Sequence, residues 1–368
     1  MITGYASVNG TANYAKIHSG VAKNHFKQFD GLTLSSIGIG TYLGNPDEQT
    51  DLLVKEAIVK SVNLGINVID TAINYRSQKA ERSVGKAIDQ LIEDDKAKRE
   101  ELFISTKNGY ITNDGDIIED FWQNIQNTLV KSGVIKSGDI SSGYHCMSIP
   151  YLQDQLKRSL KNLGLECVDL IYLHNAAEGQ LQDISKDEFI KKLKDVFEFY
   201  ENQRKLGTIR YYGMATWDCF RVPQEHPQYL SIFDVVNIAK EVGGEKNGFK
   251  FIQLPYNMYL DQALIMKNQI SDGTAYSILQ AATKLDIGVF TSVPLMQAKL
   301  LSPNVLPEFG GLSRPAHRAI QFVRSTPGVI APLIGQKSPS HVEENLELTR
   351  IPSLSETEFS KLINKLSQ

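Results

Sequence analysis

Four residues that can move protons or compensate charge follow short apolar segments of the sequence. Asp70, Lys107 and His174 each end such a segment, and Tyr75 follows Asp70 by five residues. A buried lysine needs a compensating partner, which Asp70 can supply. A nearby ammonium favours the phenolate form of a tyrosine, so we expect Lys107 to lower the pKa of Tyr75. A phenol of this kind can donate a proton near neutral pH, as the reduction of a carbonyl group requires.

Taken one at a time, these residues have simpler explanations. His174 alone is compatible with a hydrogen-bonded structural histidine, and Asp70 alone with a cap on the following turn. Lys107 has no comparable structural role, because an unpaired buried ammonium is costly. A Schiff-base role for Lys107, as in a lyase or aldolase, is a further alternative. The nearby carboxylate argues against it, since it favours the protonated amine, which is a poor nucleophile.

The elements that must position these residues alternate regularly from about residue 31. Eight short apolar segments are typical of strands buried on both faces of a parallel sheet. They are Ser35–Gly40, Asn67–Asp70, Leu102–Thr106, Val168–Leu173, Tyr211–Ala215, Phe251–Leu254, Val289–Ser292 and Val329–Ile334. The stretches between them have helical periodicity and end at glycines, as in Leu52–Leu64 before Gly65, Tyr151–Leu163 before Gly164 and Phe189–Leu206 before Gly207.

This alternation predicts an α/β fold of the (β/α)8 TIM barrel class. An open doubly wound sheet is the alternative, but the glycines at 38, 40 and 44 miss the spacing of its phosphate-binding fingerprint. In a barrel, the side chains at the carboxyl ends of the strands build the active site. The polar residues that end the predicted strands are therefore expected around one mouth.

The predicted barrel occupies residues 31–368 as a single domain, with residues 1–30 as an N-terminal extension. That extension is polar and compatible with an arm, a cap or partial disorder. Residues 108–150 form a long segment after the third strand, which we interpret as a lid over the site, with a surface insertion as the alternative. Residues 351–368 contain a predicted C-terminal helix at Glu356–Leu366.

Composition narrows the possible partners. The 368 residues include 39 Lys and Arg against 42 Asp and Glu, which argues against a nucleic-acid or membrane-surface protein. The three cysteines (Cys146, Cys167 and Cys219) are far apart, which disfavours a disulfide framework. His145 beside Cys146 has no further ligand at metal-binding spacing, so we expect no metal site. No signal peptide or membrane span is evident, and we expect a cytoplasmic monomer or weak homo-oligomer.

Five ordered motifs resemble those of the aldo-keto reductases, from about residue 33 to 349. They are Val68–Tyr75 followed by Glu81 and Gly85–Ile88, Ser105–Lys107, Ser159–Leu165, Val168–His174 and Gln253–Asn257. The resemblance implies a barrel that uses NADPH or NADH to reduce an aldehyde or ketone to an alcohol. It also implies a catalytic tetrad of Asp70, Tyr75, Lys107 and His174, in which Tyr75 is the general acid and His174 orients the carbonyl group.

The segment 334–346 resembles the adenosine-phosphate motif of that family. Ser338–Ser340 predicts a helix N-terminus, where free backbone N–H groups attract anions. A well-capped surface helix is the alternative. The resemblance implies that Lys337, Ser338 and His341 surround a 2′-phosphate and that Glu344 and Asn345 contact adenine. The other implied cofactor contacts are Gly40, Thr41, Tyr42, Thr216, Gln253, Ser292, Leu295 and Gln336. Lys337 makes NADPH the preferred cofactor over NADH.

Three departures from the family pattern bear on function, one of which is His341 at a 2′-phosphate position that often holds arginine. Ala215 and Thr216 replace two usual partners of the nicotinamide carboxamide, and Ser292 stands where an aromatic ring usually stacks on nicotinamide. Whether Trp217, a ring from the lid or no ring replaces it stays open. A nucleotide-binding regulatory or sensor protein with little turnover is therefore the alternative function. Substrate contacts are expected at Tyr42, Tyr110 and Trp217, which favour an apolar or ring-bearing small molecule.

Overall fold

Parallel strands in chain order close on themselves to form the centre of the molecule. The computed structural model describes residues 1–117, 119–136, 138–302 and 305–366. Its strands are β1 (Phe26–Phe29), β2 (Leu32–Ser35), β3 (Gly38–Gly40), β4 (Val68–Asp70), β5 (Phe103–Asn108), β6 (Val168–His174), β7 (Ile209–Ala215), β8 (Phe249–Pro255), β9 (Gln269–Ser271), β10 (Thr274–Tyr276), β11 (Gly288–Ser292) and β12 (Val329–Gly335). Eight of them form a closed barrel in the order β3-β4-β5-β6-β7-β8-β11-β12, with β12 paired to β3.

Helices follow most of the barrel strands and cover the outside of the sheet. They are α1 (Val8–Ile17), α2 (Glu48–Asn63), α3 (Lys79–Glu93), α4 (Phe121–Ile125), α5 (Ile149–Leu163), α6 (Ala176–Gln180), α7 (Lys186–Leu206), α8 (Ile232–Gly243), α9 (Gln262–Ile265), α10 (Ile278–Lys284), α11 (Pro315–Ser325), α12 (Pro339–Leu346) and α13 (Glu356–Leu366). Short 3-10 turns occupy Arg99–Glu101, Lys299–Leu301 and Glu347–Arg350, and a π-helical turn occupies Gln126–Val130.

The predicted barrel class is confirmed, and so are the helix ends marked by glycine. Gly164 and Gly207 take left-handed φ values of 69° and 77° directly after α5 and α7. A glycine adopts this conformation without the penalty that a Cβ atom would bring. At the other end of α2, the Asp47 side chain accepts a hydrogen bond from the Thr50 backbone at 2.7 Å and so caps the helix.

The first predicted strand is wrong in its extent. Ser35 ends β2, and the barrel strand begins only at Gly38. β1 and β2 form an antiparallel hairpin, with Phe29 paired to Leu32. The boundary expected between residues 30 and 31 lies in the turn of this hairpin. The hairpin packs under the barrel because the buried side chains of Leu32 and Leu34 join the interior cluster at the amino ends of the strands.

The segment 108–150 contains α4 and the π-helical turn, and ion pairs attach its first part to α3. Arg82 pairs with Asp114 at 2.8 Å, and Lys79 pairs with Asp116 at 2.6 Å. These pairs hold the first part of the segment against α3. Ile118 and Ser137 of the predicted lid, and Ser367 and Gln368 of the predicted C-terminal segment, lie outside the described residues.

Within the described ranges, every helix is too short or too polar to cross a bilayer. Nor do three or more His, Cys, Asp or Glu side chains of those ranges come together in a way that would hold a metal ion.

Candidate active site

The Lys107 ammonium is buried at the mouth of the barrel with a carboxylate beside it. β4 and β5 are neighbouring strands, with Asp70 opposite Ser105 and Lys107 two residues further along β5. Lys107 Nζ donates to Asp70 Oδ2 at 2.5 Å and to the Thr71 carbonyl at 2.8 Å. Burial lowers the pKa of Lys107, and the charges of Asp70 and Glu81 act in the opposite direction. The predicted pairing of Lys107 with Asp70 is therefore present in the structure.

The second oxygen of the Asp70 carboxylate is also held. Asp70 Oδ1 accepts hydrogen bonds from Ser105 Oγ at 2.8 Å and from Gln253 Nε2 at 3.0 Å. A carboxylate with both oxygens hydrogen-bonded has a fixed orientation, and it fixes the ammonium bound to it. Ser105 was missed as a functional residue by the sequence analysis. The sequence does contain a signal for Ser105. Residues two apart on a strand face the same side, and Ser105 precedes Lys107 by two residues.

Tyr75 lies directly above this ion pair. Lys107 Nζ is 4.7 Å from the centroid of the Tyr75 ring. Burial raises the pKa of Tyr75 well above its ordinary value, and the Asp70 charge raises it further. The expectation of a lowered pKa is therefore wrong for this arrangement. Its cause is the same burial that makes the lysine unusual, since a buried phenolate is as costly as a buried ammonium. Tyr75 is accordingly a neutral phenol, the protonated form that a proton donor needs.

A strained turn holds Tyr75 in place. The next three residues, Arg76, Ser77 and Gln78, all have left-handed φ values (48°, 52° and 74°), although none is glycine. Such conformations cost about 1–3 kcal/mol each and persist only where surrounding contacts enforce them. Arg76 supplies these contacts, because its guanidinium bonds Asp51 at 2.6 Å and Ser83 at 2.8 Å. The turn therefore fixes the position from which the Tyr75 hydroxyl can act.

His174 ends β6 on the other side of Tyr75. Its ring is edge-on to the rings of Tyr75 and Tyr110, with centroids 5.9 and 5.1 Å apart. Burial lowers the pKa of His174 well below its ordinary value, and the Lys107 charge adds to this effect. The imidazole is therefore neutral at physiological pH, and its one N–H can donate a hydrogen bond to a neutral oxygen.

These groups line one cavity of about 760 Å³ at the carboxyl ends of the strands. This volume lies within the range of small-molecule and cofactor sites. The lining brings together the predicted residues Gly40, Thr41, Tyr42, Asp70, Tyr75, Tyr110, His174, Thr216, Trp217, Gln253, Ser292, Leu295, His341, Glu344 and Asn345. Lys107 is fully buried behind this wall, against Asp70 and Tyr75.

Gln336, Lys337 and Ser338 lie outside the cavity lining. The buried Gln336 donates from Nε2 to Ser61 Oγ and accepts at Oε1 from Asn345, so it orients Asn345. Lys337 Nζ lies beside Gly44, where a Cβ atom would approach it to 3.1 Å. Gln336 therefore has a supporting position, whereas the Lys337 ammonium lies beside the loop between β3 and α2.

The cavity also has polar atoms that fit a polar ligand. Thr216 Oγ1 is buried without a hydrogen-bond partner among the described residues. Its backbone N–H donates to the Gln253 carbonyl at 2.8 Å, so both predicted carboxamide contacts are neighbours. An unpaired buried hydroxyl costs free energy that a ligand amide can recover. The donors and acceptors on this wall therefore fit the amide group of a nicotinamide cofactor.

The loop after β11 contributes lining residues that the sequence analysis missed. Val293, Gln297 and Ala298 line the cavity with φ values of 50°, 52° and 69°. Non-glycine residues rarely adopt this conformation, so no local sequence signal predicts it. On the opposite wall, Glu178 Oε1 accepts from the backbone N–H groups of Trp217 and the next two residues at 2.8, 2.6 and 3.2 Å. Glu178 therefore fixes the loop that presents Trp217.

Comparisons with known proteins agree with this architecture. The oxidoreductase YqkF of Bacillus subtilis (strain 168), named as uncharacterized, is 22% identical over 344 residues, which cover 92% of this chain and 94% of the relative. The NADH-specific methylglyoxal reductase of Escherichia coli (strain K12) is 25% identical over 203 residues, which cover 54% of this chain and 53% of that protein.

Solved structures and a family model extend the comparison. An aldo/keto reductase from Klebsiella pneumoniae, solved in complex with NADP and acetate, has a TM-score of 0.59 at 19% identity and covers 93% of this chain and 95% of that one. This likeness supports the fold. The model of the Aldo/keto reductase family matches residues 36–366, a range that includes all eight barrel strands. The chain therefore belongs to the aldo/keto reductase family of NAD(P)H-dependent oxidoreductases.

Proposed function

We propose that this protein reduces an aldehyde or ketone to an alcohol, with NADPH as the reductant. The observation that carries the proposal is the placement of the Asp70–Lys107 ion pair beneath Tyr75, in the wall of the cavity that His174 also lines. A neutral phenol beside a fixed positive charge can release a proton without leaving an uncompensated phenolate in a buried site.

In the proposed reaction, a reduced nicotinamide bound in the cavity would supply a hydride to the carbonyl carbon. Tyr75 Oη donates its proton to the carbonyl oxygen, so that an alcohol and a tyrosinate form. The Lys107 ammonium stabilises that tyrosinate until solvent returns the proton. The neutral His174 ring orients the carbonyl oxygen by a hydrogen bond, and Asp70 keeps Lys107 in place. In the oxidation of an alcohol the same groups act in reverse, with Tyr75 as the base.

The preference for NADPH rests on local charge. Thr216 and Gln253 would hold the carboxamide, while Glu344 and Asn345 at the far end of the cavity would contact adenine. Lys337, His341 and Ser338 would surround the 2′-phosphate, where the ammonium of Lys337 attracts a dianion. The ratio of kcat/KM values for NADPH and NADH, measured with one carbonyl substrate, tests this preference directly.

The substrate is proposed to be apolar or ring-bearing. Tyr42, Tyr110 and Trp217 line the cavity next to the catalytic groups, and the rings of Tyr42 and Tyr75 stand 5.0 Å apart. Aromatic rings recognise flat apolar groups by contact area and edge-to-face packing. Ser292 stands where the family usually has a ring that stacks on nicotinamide, and it lines the same cavity as Trp217. Trp217 is therefore also the proposed replacement for that ring.

The test is turnover of NADPH with a panel of aldehydes and ketones, followed by the Tyr75→Phe variant. We expect this variant to lose about 100- to 10,000-fold in the rate of reduction, because the proton donor is absent. NADPH affinity should stay within a few-fold, since the hydroxyl is not a proposed cofactor contact. Tyr256→Phe is the matched control, because it removes a buried hydroxyl that bonds Thr326 away from the cavity.

Equal losses of NADPH affinity and rate in Tyr75→Phe would make the role of Tyr75 structural. Tight NADPH binding without turnover of any carbonyl compound would instead favour the regulatory alternative.

A further inference from the structure

The segment that leaves the barrel after β5 returns to it through a narrow neck. Tyr110 and His145 form an isolated antiparallel bridge at the point where the segment leaves and returns. Backbone hydrogen bonds from Cys146 to Gly109 and from Ile111 to Tyr144, both 2.8 Å, close the neck on either side. A residue in this neck is therefore fixed relative to the carboxyl end of β5, the strand that contains Lys107.

His145 occupies the neck and is fully buried against the end of β6. Its Nε2 lies 2.8 Å from the backbone carbonyl oxygen of His174. Its Nδ1 lies 3.1 Å from Gln180 Nε2, which can only donate, so Nδ1 accepts and Nε2 carries the proton. Gln180 Nε2 also donates to the backbone carbonyl of His145 at 3.0 Å. One side-chain amide thus fixes both the ring and the backbone of His145.

Glycines on both sides make this position tight. A Cβ atom on Gly109 would lie 2.4 Å from His145 Nε2, and one on Gly179 would lie 2.6 Å from His145 Cβ. Close packing of this kind leaves the ring one position, because any larger neighbour would displace it. The hydrogen bond to His174 is therefore held by shape as well as by Gln180.

The hydrogen bond between His145 and His174 lies where the chain changes direction after β6. Directly after His174, Asn175 has a left-handed φ of 47°, and the chain turns into α6. The Tyr110 ring stands edge-on to both histidines, 5.4 Å from His145 and 5.1 Å from His174. Tyr110 Oη accepts a hydrogen bond from Asn175 Nδ2 at 3.2 Å. His145 therefore contacts the backbone of one residue that lines the substrate end of the cavity and the ring of another.

We propose that His145 is a positioning residue, which fixes the imidazole of His174 and the ring of Tyr110 in the orientation that binds the substrate carbonyl group. This inference rests on the proposed reduction, and it assigns to Tyr110 and His145, the two residues of the neck, a part in the active-site wall. The hydrogen bonds and ring contacts of His145 join it to His174, Gln180 and Tyr110, so we expect its effect to fall on the substrate end of the cavity.

The experiment compares His145→Ala, His145→Gln and Cys146→Ala in the full chain. The Gln variant can place its Nε2 where the His145 Nε2–H donates, and Cys146 is an equally buried neighbour that packs in the separate apolar cluster of the segment. We expect His145→Ala to lose about 10- to 100-fold in kcat/KM for the carbonyl substrate, as small misplacements of reacting groups do. His145→Gln should recover most of this loss, and Cys146→Ala should stay within about twofold. NADPH affinity should be unchanged in all three.

A readout independent of turnover keeps the two proposals distinguishable. The imidazole signals of His174, assigned in ¹⁵N-histidine-labelled protein with a His174→Asn variant, should shift in His145→Ala and return in His145→Gln. If the wild-type protein turns over no carbonyl compound but these signals behave as described, the reduction fails and the positioning role stands. Signals that do not shift, a loss in Cys146→Ala equal to that in His145→Ala, or a Gln variant that folds normally without recovery would overturn the positioning role.

Discussion

Lys107 and Lys27 lie at opposite ends of the barrel and are held in different ways. At the carboxyl ends of the strands, Lys107 bonds the Asp70 carboxylate and one carbonyl oxygen. At the amino ends, Lys27 of β1 donates to two carbonyl oxygens, those of Arg324 at 2.7 Å and Val329 at 2.6 Å. Among the described residues, no carboxylate forms an ion pair with Lys27, and the nearby Arg324 guanidinium repels its charge.

The difference shows that the partner of a lysine is a better sign of function than its burial. Burial lowers the pKa of both side chains, and for Lys27 it does so to about 7. Two carbonyl oxygens are sufficient for a lysine that only ties the β1–β2 hairpin to the start of β12. A lysine that must stay charged beneath a proton donor needs a carboxylate, and Asp70 in turn needs Ser105 and Gln253.

The largest effect is expected from removal of the charge at the mouth. Lys107→Met should lower the rate of reduction about 100- to 10,000-fold, since Tyr75 would lose the charge that stabilises its deprotonated form. It should also lower the free energy of unfolding by about 3–5 kcal/mol, because the Asp70 carboxylate stays buried without its cation. Steady-state kinetics and denaturant unfolding measure the two effects.

The double variant Asp70→Asn with Lys107→Met separates these effects. It removes both charges, so stability should return towards that of the wild type while activity stays lost. Lys27→Met should keep the wild-type rate within about twofold. Recovery of activity in the double variant, or an equal loss of rate in Lys27→Met, would contradict the distinction between the two lysines.

The pH dependence of the reaction is a second test of the mouth. Tyr75 has a raised pKa and His174 a lowered pKa, so the phenol stays protonated and the imidazole stays neutral between their ordinary values of about 10 and 6.5. The kcat/KM of reduction should therefore be constant across that range. The rate of alcohol oxidation should rise about tenfold per pH unit, because it needs the deprotonated tyrosine. A fall in the rate of reduction centred near neutral pH would show that one of the two shifts has the opposite sign.

Most of the barrel could be predicted from the sequence because each strand is a short apolar segment that ends in a polar residue. Asp70, Lys107 and His174 lie in the last two residues of three consecutive barrel strands, so the strand pattern alone brings them to one mouth. The helices α5 and α7 were equally accessible, since their apolar faces are continuous and glycine follows each.

The remainder depends on tertiary contacts that leave no local signal. α1 was missed because the face that it buries consists of Gly10, Thr11 and Tyr14, which is not an apolar stripe. The direction of the Tyr75 pKa shift was wrong because the sequence gives the neighbouring charge but not the extent of burial. The contacts of His145 have no local signal either, because its partners, Gln180 and the His174 backbone, are distant along the chain.

The smallest expected effect concerns Lys27 and the stability of the fold at the amino ends of the barrel strands. Its pKa is about 7 in the folded protein and about 10.4 in an unfolded chain, so between these values the unfolded state binds more protons. The free energy of unfolding must then rise with pH across this window, by at most about 1.4 kcal/mol per unit. Lys27 is half-buried, and solvent screening should reduce the slope.

The measurement is denaturant unfolding of the wild type and Lys27→Met at several pH values from neutral upward. The difference in unfolding free energy between them isolates Lys27 from the other titrating groups, and it should grow in favour of the wild type as the pH rises. If the difference in unfolding free energy between the wild type and Lys27→Met does not change with pH, Lys27 keeps its proton in the folded protein. Carbonyl oxygens alone would then be able to hold a charged ammonium, and the partner of a buried lysine would no longer distinguish the two ends of the barrel.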